Sequence, residues 1–324
     1  MNRAHKFRRL GKRNGFAAGV VILLLLCIAA VFFLRPGKSV SLRRVNIVVA
    51  SSPISVWSWD TLDNTFAVVS LPSEIVIDAV HGYGKYSLEA IWKLGFIEKP
   101  DASILSESLS DALGTVVPWY VGSTSQELAE STHPVAFGRE LFSWMHVTGV
   151  LFGHYHTNIP PALFLSFSRA LAGARADAIA FIDLSEKSVT RQEELPDNTK
   201  RNVLDPELLD VALKSVFEDD LIRKEGVSVA VYNTTKTPAL GNRAARLLTS
   251  SGVLVIFVGN EEGEVSTCQL EGDTKALASK TASVIAEILD CRKVQATDMK
   301  RTDLTVRVGV NYAKQFVSRA APAP

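Results

Sequence analysis

Few residues in this chain combine type and spacing in a way that could do chemistry. His154 and His156 stand two apart, which on a strand would put both rings on one face and within reach of one metal ion. Neither His133 nor His146 is fixed relative to them, so spacing supplies no third ligand and no metal site is expected. Lys85 follows Gly82-Tyr-Gly84, where it could meet an anionic head group or face solvent as a turn residue. Arg139 interrupts an apolar segment and could meet Glu140 or a ligand, or lie at the surface. With Glu74, these two cations make up the ligand-binding candidates; no catalytic residue is assigned. The six serines from Ser103 to Ser125 lack the Gly-x-Ser-x-Gly setting of an activated nucleophile, and helix capping or solvent accounts for them. Gly82-Tyr-Gly84 lacks the third glycine of a dinucleotide fingerprint. Trp57, Trp59, Trp92, Trp119 and Trp144 could line a sugar-stacking groove or fill a core. Cys268 and Cys291 are a disulfide candidate, with two free buried thiols as the other reading.

The elements that would position these residues follow an apolar stretch, Phe16–Leu34, with no charge, amide or proline. As a helix it would rise about 1.5 Å per residue, enough to cross a bilayer core of about 30 Å. Arg3, Lys6, Arg8, Arg9, Lys12 and Arg13 precede it with no acidic residue, so the N-terminus is expected in the cytoplasm and the bulk outside. A cleaved signal peptide is the competing reading. After Ala29-Ala30, however, the chain stays apolar through Leu34, and Leu26 before Cys27 suits lipidation poorly. The net charge of +1 hides an asymmetry: from Asp60 onward, 34 acidic residues face 25 basic ones. That balance excludes a nucleic-acid partner and assigns the basic block to a membrane surface.

The expected organisation is α/β. Residues 1–15 form a basic tail, 16–34 a transmembrane helix, 35–45 a linker and 46–217 an α/β sandwich-like domain; a smaller domain spans 226–313 and a tail 314–324. Ile54–Trp59 and Phe66–Leu71 flank Asp60–Asn64 as a hairpin. Ser87–Leu94 and Ser103–Leu113 read as helices opened by serine caps, and Ser125–Glu130 as a short helix. Asn158 would cap a helix through Leu163–Ala172, Thr190–Pro206 reads as a loop, and Glu218–Gly226 as a charged connector. From Val227 the order is β-α-β-β-α-β, with Val265–Leu270 as third strand and Thr274–Leu289 as one long helix. The two helices would cover one face of an antiparallel sheet.

The segment Gly226–Tyr312 resembles the C-terminal domain appended to LytR–CpsA–Psr proteins of bacterial envelopes. Val229-Ala-Val-Tyr-Asn-Thr234, Asn242-Arg-Ala-Ala-Arg-Leu-Leu248, Val253–Asn260 and Leu304–Tyr312 carry the likeness in order. Asn46–Gly122 resembles a reduced form of the catalytic domain that precedes it, through the hairpin Ser55–Pro72, Gly84-Lys-Tyr86, Leu105–Gly114 and Val116–Tyr120; Thr157-Asn158 fits a later part. The resemblance implies transfer of polyprenyl-pyrophosphate-linked glycopolymers to the wall, with magnesium neutralising the pyrophosphate. The chain departs where that chemistry would sit. Pro72-Ser73-Glu74 stands in place of Pro-Arg-Asp, and Ala50-Ser-Ser-Pro53 in place of a segment bearing an arginine and a metal-binding aspartate. Pyrophosphate transfer needs forked cations and hard oxygen ligands, which serines do not supply. The expectation is therefore a membrane-anchored envelope protein with a non-catalytic binding or scaffolding role. Its partners would be the membrane and a wall glycopolymer or polyprenyl lipid, and it would need no cofactor. The alternative is an active phosphotransferase with a rebuilt site, and only that alternative calls for magnesium.

Overall fold

A computed structural model describes residues 43–98, 103–195, 198–296 and 301–316. The expected tail, the apolar stretch Phe16–Leu34 and nearly all of the linker lie outside the described residues. Among the described residues, no helix is long and apolar enough to cross a membrane.

The fold grows from the predicted hairpin. Strand β1 (Arg44–Ser52) leads into β2 (Ile54–Asp60) and β3 (Thr65–Leu71), paired from Ile54↔Leu71 to Asp60↔Thr65. The Asp60 carboxylate closes the turn by accepting the Leu62 and Asp63 N–H groups at 3.0 and 3.1 Å, and Asn64 takes a left-handed φ of 51°. Asp60 also accepts Arg43 Nε at 2.8 Å. Both side chains are buried, so the expected linker ends before Arg43 rather than at residue 45.

After β4 (Val76–Ala79) and β5 (Gly84–Ser87) come the helices Leu88–Glu98 and Ser103–Leu113, then β6 (Trp119–Ser123) and β7 (Ala129–Glu130). The helix expected at Ser125–Glu130 does not form; its end pairs as β7 with Ser51 and Ser52. The helices Pro134–Leu141 and Val147–Leu151, then β8 (Tyr155–Thr157), the helix Pro161–Gly173 and β9 (Ile179–Asp183) complete a seven-stranded sheet of order β8-β6-β1-β2-β3-β9, with β7 also on β1. Asn158 does not cap the Pro161–Gly173 helix. Its amide instead bridges β6, accepting Tyr120 N–H at 2.9 Å and donating to Pro118 O at 2.8 Å.

Period-two alternation sends Val48, Val56, Val69 and Tyr120 to one core, and Ile47, Trp57, Val68 and Val121 to another on the opposite face. Two glycines make room for tryptophans. A Cβ at Gly122 would come within 2.7 Å of Trp92, and one at Gly138 within 2.1 Å of Trp57. Of the five tryptophans, Trp57 and Trp92 are therefore wholly buried core residues.

The stretch expected as a loop at Thr190–Pro206 is a hairpin of β10 (Thr190–Glu194) and β11 (Lys200–Leu204), in a second sheet of order β10-β11-β4-β5. Its charged residues hide the alternation that apolar residues would have shown, and cross-strand pairs such as Glu193↔Arg201 hold it. The expected connector contains a helix, Asp220–Glu225, capped by Asp219.

The C-terminal domain has five strands: β12 (Ser228–Asn233), β13 (Leu254–Asn260), β14 (Gln269–Gly272), β15 (Arg292–Gln295) and β16 (Leu304–Val308), ordered β13-β12-β16-β14-β15. The sheet is mixed, not antiparallel: only β14–β16 runs antiparallel. The helices Leu240–Ser250 and Lys280–Ile288 each return the chain to start a parallel neighbour, as crossover connections do. The single helix expected at Thr274–Leu289 is broken, because Ser279 caps a new start by accepting Ala282 N–H at 3.0 Å. A disulfide joins Cys268 to Cys291, with Cα atoms 4.3 Å apart.

Candidate functional site

The two stretches where the resemblance implies arginines and a metal-binding aspartate do meet in space. Ser52, at the end of β1, and Ser73, beyond β3, share a hydrogen bond of 3.0 Å between their hydroxyls. The start of the Leu88–Glu98 helix is pinned beside them, with Glu89 N–H donating to Ser73 O at 3.0 Å and Leu88 N–H to Ile75 O at 3.0 Å. Ser87 caps this helix by accepting Ala90 N–H at 3.3 Å. Ser52 O accepts Ser131 N–H from the chain after β7. A hydroxyl pair of this kind can exchange neutral hydrogen bonds but cannot neutralise a pyrophosphate.

The three ligand-binding candidates do not converge. Glu74 is exposed in the turn after Ser73. Lys85, on β5, donates to both carboxylate oxygens of Glu193 at 2.8 and 2.9 Å, and Arg201 donates to the same carboxylate from β11. Lys85 and then Arg201 hold the Glu193 carboxyl below its usual range. Arg139 lies across the seven-stranded sheet and donates to Ala174 O at 3.2 Å, at the C-terminal end of the Pro161–Gly173 helix, where a cation suits the helix dipole.

The histidines also part. His156 packs among aromatics, its ring stacked 4.9 Å from Phe96, while His154 is exposed and His146 Nδ1 lies 2.6 Å from the Tyr155 hydroxyl. Among the described residues, no group of three or more His, Cys, Asp or Glu side chains gathers as a metal cage would require. A cavity of about 270 Å³ lies on the Ile47–Trp57 side of the sheet, walled by Val49, Phe137, Leu141, Glu140, His146 and Tyr155. Burial first, then the nearby Glu140 charge, pushes the Tyr155 phenol up.

A cleft of about 560 Å³ runs between the domains and is lined by Glu107, Asp111, Trp119, Arg243, Tyr312 and Phe316 among others. Arg243 pairs with Asp111 and lies 4.7 Å over the Phe316 ring. Burial holds the Asp111 carboxyl above its usual range against the pull of Arg243, and burial likewise raises the Tyr312 phenol. Next to it, Arg246 grips Asp210 with Nε at 2.8 Å and donates to Asp111 O and Ala112 O at 2.9 and 3.0 Å. Those carbonyls end the Ser103–Leu113 helix, so one guanidinium caps a helix of the other domain. Sequence reasoning did not single out Asp111, Arg243 or Arg246. The available signal was two arginines three apart on one helix face, but Asp111, which both contact, lies more than a hundred residues away.

Residues 226–312 match a family model described as LytR cell envelope-related transcriptional attenuator. No curated protein sequence matches the chain. Among solved structures, the transcriptional regulator yvhJ from Bacillus subtilis is 13% identical with a TM-score of 0.39, covering 53% of this chain and 94% of its own. B. subtilis TagV is 12% identical with a TM-score of 0.37, over 53% of this chain and 94% of its own. The LytR-CPS2A-psr family protein YwtF (TagT), with bound octaprenyl pyrophosphate lipid, is 10% identical with a TM-score of 0.37, over 57% of this chain and 92% of its own. Likeness at this level carries no functional argument. The family-model match covers the C-terminal domain alone, and it falls on the segment, Gly226–Tyr312, whose residues resemble the LytR C-terminal domain.

Proposed function

We propose that this chain is a single-pass, membrane-anchored protein of the cell envelope, with a binding or scaffolding role near the wall and no transferase activity. The observation that carries the non-catalytic reading is the Ser52–Ser73 hydroxyl pair, standing where the resemblance implies forked cations and a metal-binding carboxylate. Lys85 supports it, since this cation is held by Glu193 within its own sheet. The envelope setting is supported by the match over residues 226–312, and the anchor with its cytoplasmic N-terminus by Phe16–Leu34 and the basic flank before it. The ligand would be a wall glycopolymer or a polyprenyl lipid, with no cofactor required.

The test uses the detergent-solubilised full chain with magnesium, a polyprenyl-pyrophosphate-linked glycopolymer and isolated wall. The protein should sediment with the wall and transfer no polymer to it. Transfer that disappears on Lys85→Ala or Glu74→Gln would overturn the non-catalytic reading. Failure to sediment with the wall would overturn the binding role.

A further inference from the structure

The C-terminal sheet ends in two edges of opposite character. At one edge, β15 carries Arg292 and Lys293, both exposed. At the other, β13 reads LVIFVGN and carries no charge. Its Leu254, Ile256, Phe257 and Val258 are 51, 53, 49 and 37% exposed. On its inner side β13 pairs with β12, where a register shift leaves Ile256 as the extra residue; on its outer side it has no neighbour among the described residues. Exposed strand edges are ordinarily protected by charge, as β15 is, because their unpaired backbone groups template pairing with another strand.

We infer that β13 is a homotypic docking strand: a second copy of the chain pairs with it antiparallel across a two-fold axis, joining the two five-stranded sheets edge to edge. An isologous contact requires a strand complementary to its own reverse. Centred on Phe257, the pairing sets Leu254 opposite Asn260, Val255 opposite Gly259, Ile256 opposite Val258, and Phe257 opposite itself. At the centre, from Ile256 to Val258, apolar residues meet apolar residues; Leu254 meets the uncharged Asn260, and no charge meets a charge. Glu261 and Glu262 fall beyond the paired stretch, opposite Val253 and Gly252. A lipid surface would cover the side chains but leave the outward N–H and C=O groups unsatisfied, whereas a strand satisfies both. The basic β15 edge repels its own copy, so the assembly stops at two chains and does not grow into a filament.

The full chain in detergent micelles, studied by sedimentation velocity, should show a dimer. Ile256→Lys removes one apolar contact from each half of the interface, and should weaken dimerisation on the order of 100-fold. Its circular dichroism should match the parent. In a Cys27→Ser background, Phe257→Cys should cross-link to a dimer on mild oxidation, and Arg292→Cys should not. A chain that stays monomeric at about 100 µM, or a dimer indifferent to Ile256→Lys, overturns the inference. If Ile256→Lys fails to fold, the cross-link decides: no dimer from Phe257→Cys, or an equal yield from Arg292→Cys, overturns it as well.

Discussion

The central strands β1, β2 and β3 of the seven-stranded sheet are buried on both faces, whereas the five-stranded sheet carries its helices on one face and opens the other to solvent. In the domain built on the first, Trp57 and Trp92 fill the interior through gaps left by glycines, Lys85 is held by Glu193 within the four-stranded sheet, and Arg139 is held by a helix end. In the second, Ala244, Leu248, Ala282 and Ile285 cover one face of β12 and β16. The other face presents Tyr232 tilted against Phe257, and Arg307 paired with Glu261 and Glu271. The contrast teaches where recognition can reside. The first domain has used its interior and its charges for packing, and the second keeps apolar and polar groups at its surface.

The sharpest way to break this comparison is truncation on each sheet. Trp57→Ala should destabilise the first domain by about 3–5 kcal/mol, because it empties a wholly buried site, while Phe257→Ala should stay within about 0.5 kcal/mol in the monomer. Chemical denaturation of both variants checks the pair, and equal losses would mean that the five-stranded sheet is not open. Next in size is the disulfide, which only the second domain has. Cys268→Ser should cost about 3 kcal/mol through the loop it no longer closes, seen as a lower midpoint in chemical denaturation. Arg246→Ala should cost about 2 kcal/mol and separate one unfolding transition into two, because it uncaps the first domain's helix from the second. Calorimetry resolves this.

The smallest effects concern pH. Burial pushes the Asp60 carboxyl up, but hydrogen bonds from Arg43, Asp63 and Leu62 outweigh it and leave it below the usual range. Its stabilisation is therefore full above the unfolded pKa and is lost as pH falls through the folded one. Asp111 has the opposite sign. Its raised folded pKa means that ionisation disfavours the folded state at neutral pH, and this penalty lifts as pH falls through that value. Thermal unfolding against pH should flatten at the acid end for Asp60→Asn. For Asp111→Asn the difference should appear at higher pH, just above the usual carboxylate range.

The parts of the fold legible from the sequence are those whose signals are local. The β2–β3 hairpin announces itself through Asp60 and Asn64, and the Ser103–Leu113 helix through its apolar spacing and Gly114. Strand direction in the C-terminal sheet was not legible, because pairing of β12 with β16 joins residues some 75 positions apart and no local pattern records it. The β10–β11 hairpin was hidden for a different reason: its alternation is carried by charges that find partners only across the strands. At the candidate site, Ser73 and Glu74, standing where the resemblance implies an arginine and an aspartate, were legible residue by residue. That Ser52 and Ser73 would touch was not, since a strand and a turn bring them together.

Arg246 also sets a timetable. The carbonyls at the end of the Ser103–Leu113 helix are complete long before the residue that caps them is synthesised, since Asp111 and Arg246 are 135 positions apart. During synthesis Asp111 O has only the local Gly114 N–H, and the rest of this helix end must be served by water. Its final form waits for the Leu240–Ser250 helix, and the backbone bond from His81 to Gln315 waits longer still. A nascent chain halted before the second domain would thus expose the seam itself, with Asp111 lacking Arg243, a surface the finished protein never shows. Quality-control proteases that read such surfaces would distinguish a truncated product from a complete one without testing either for function.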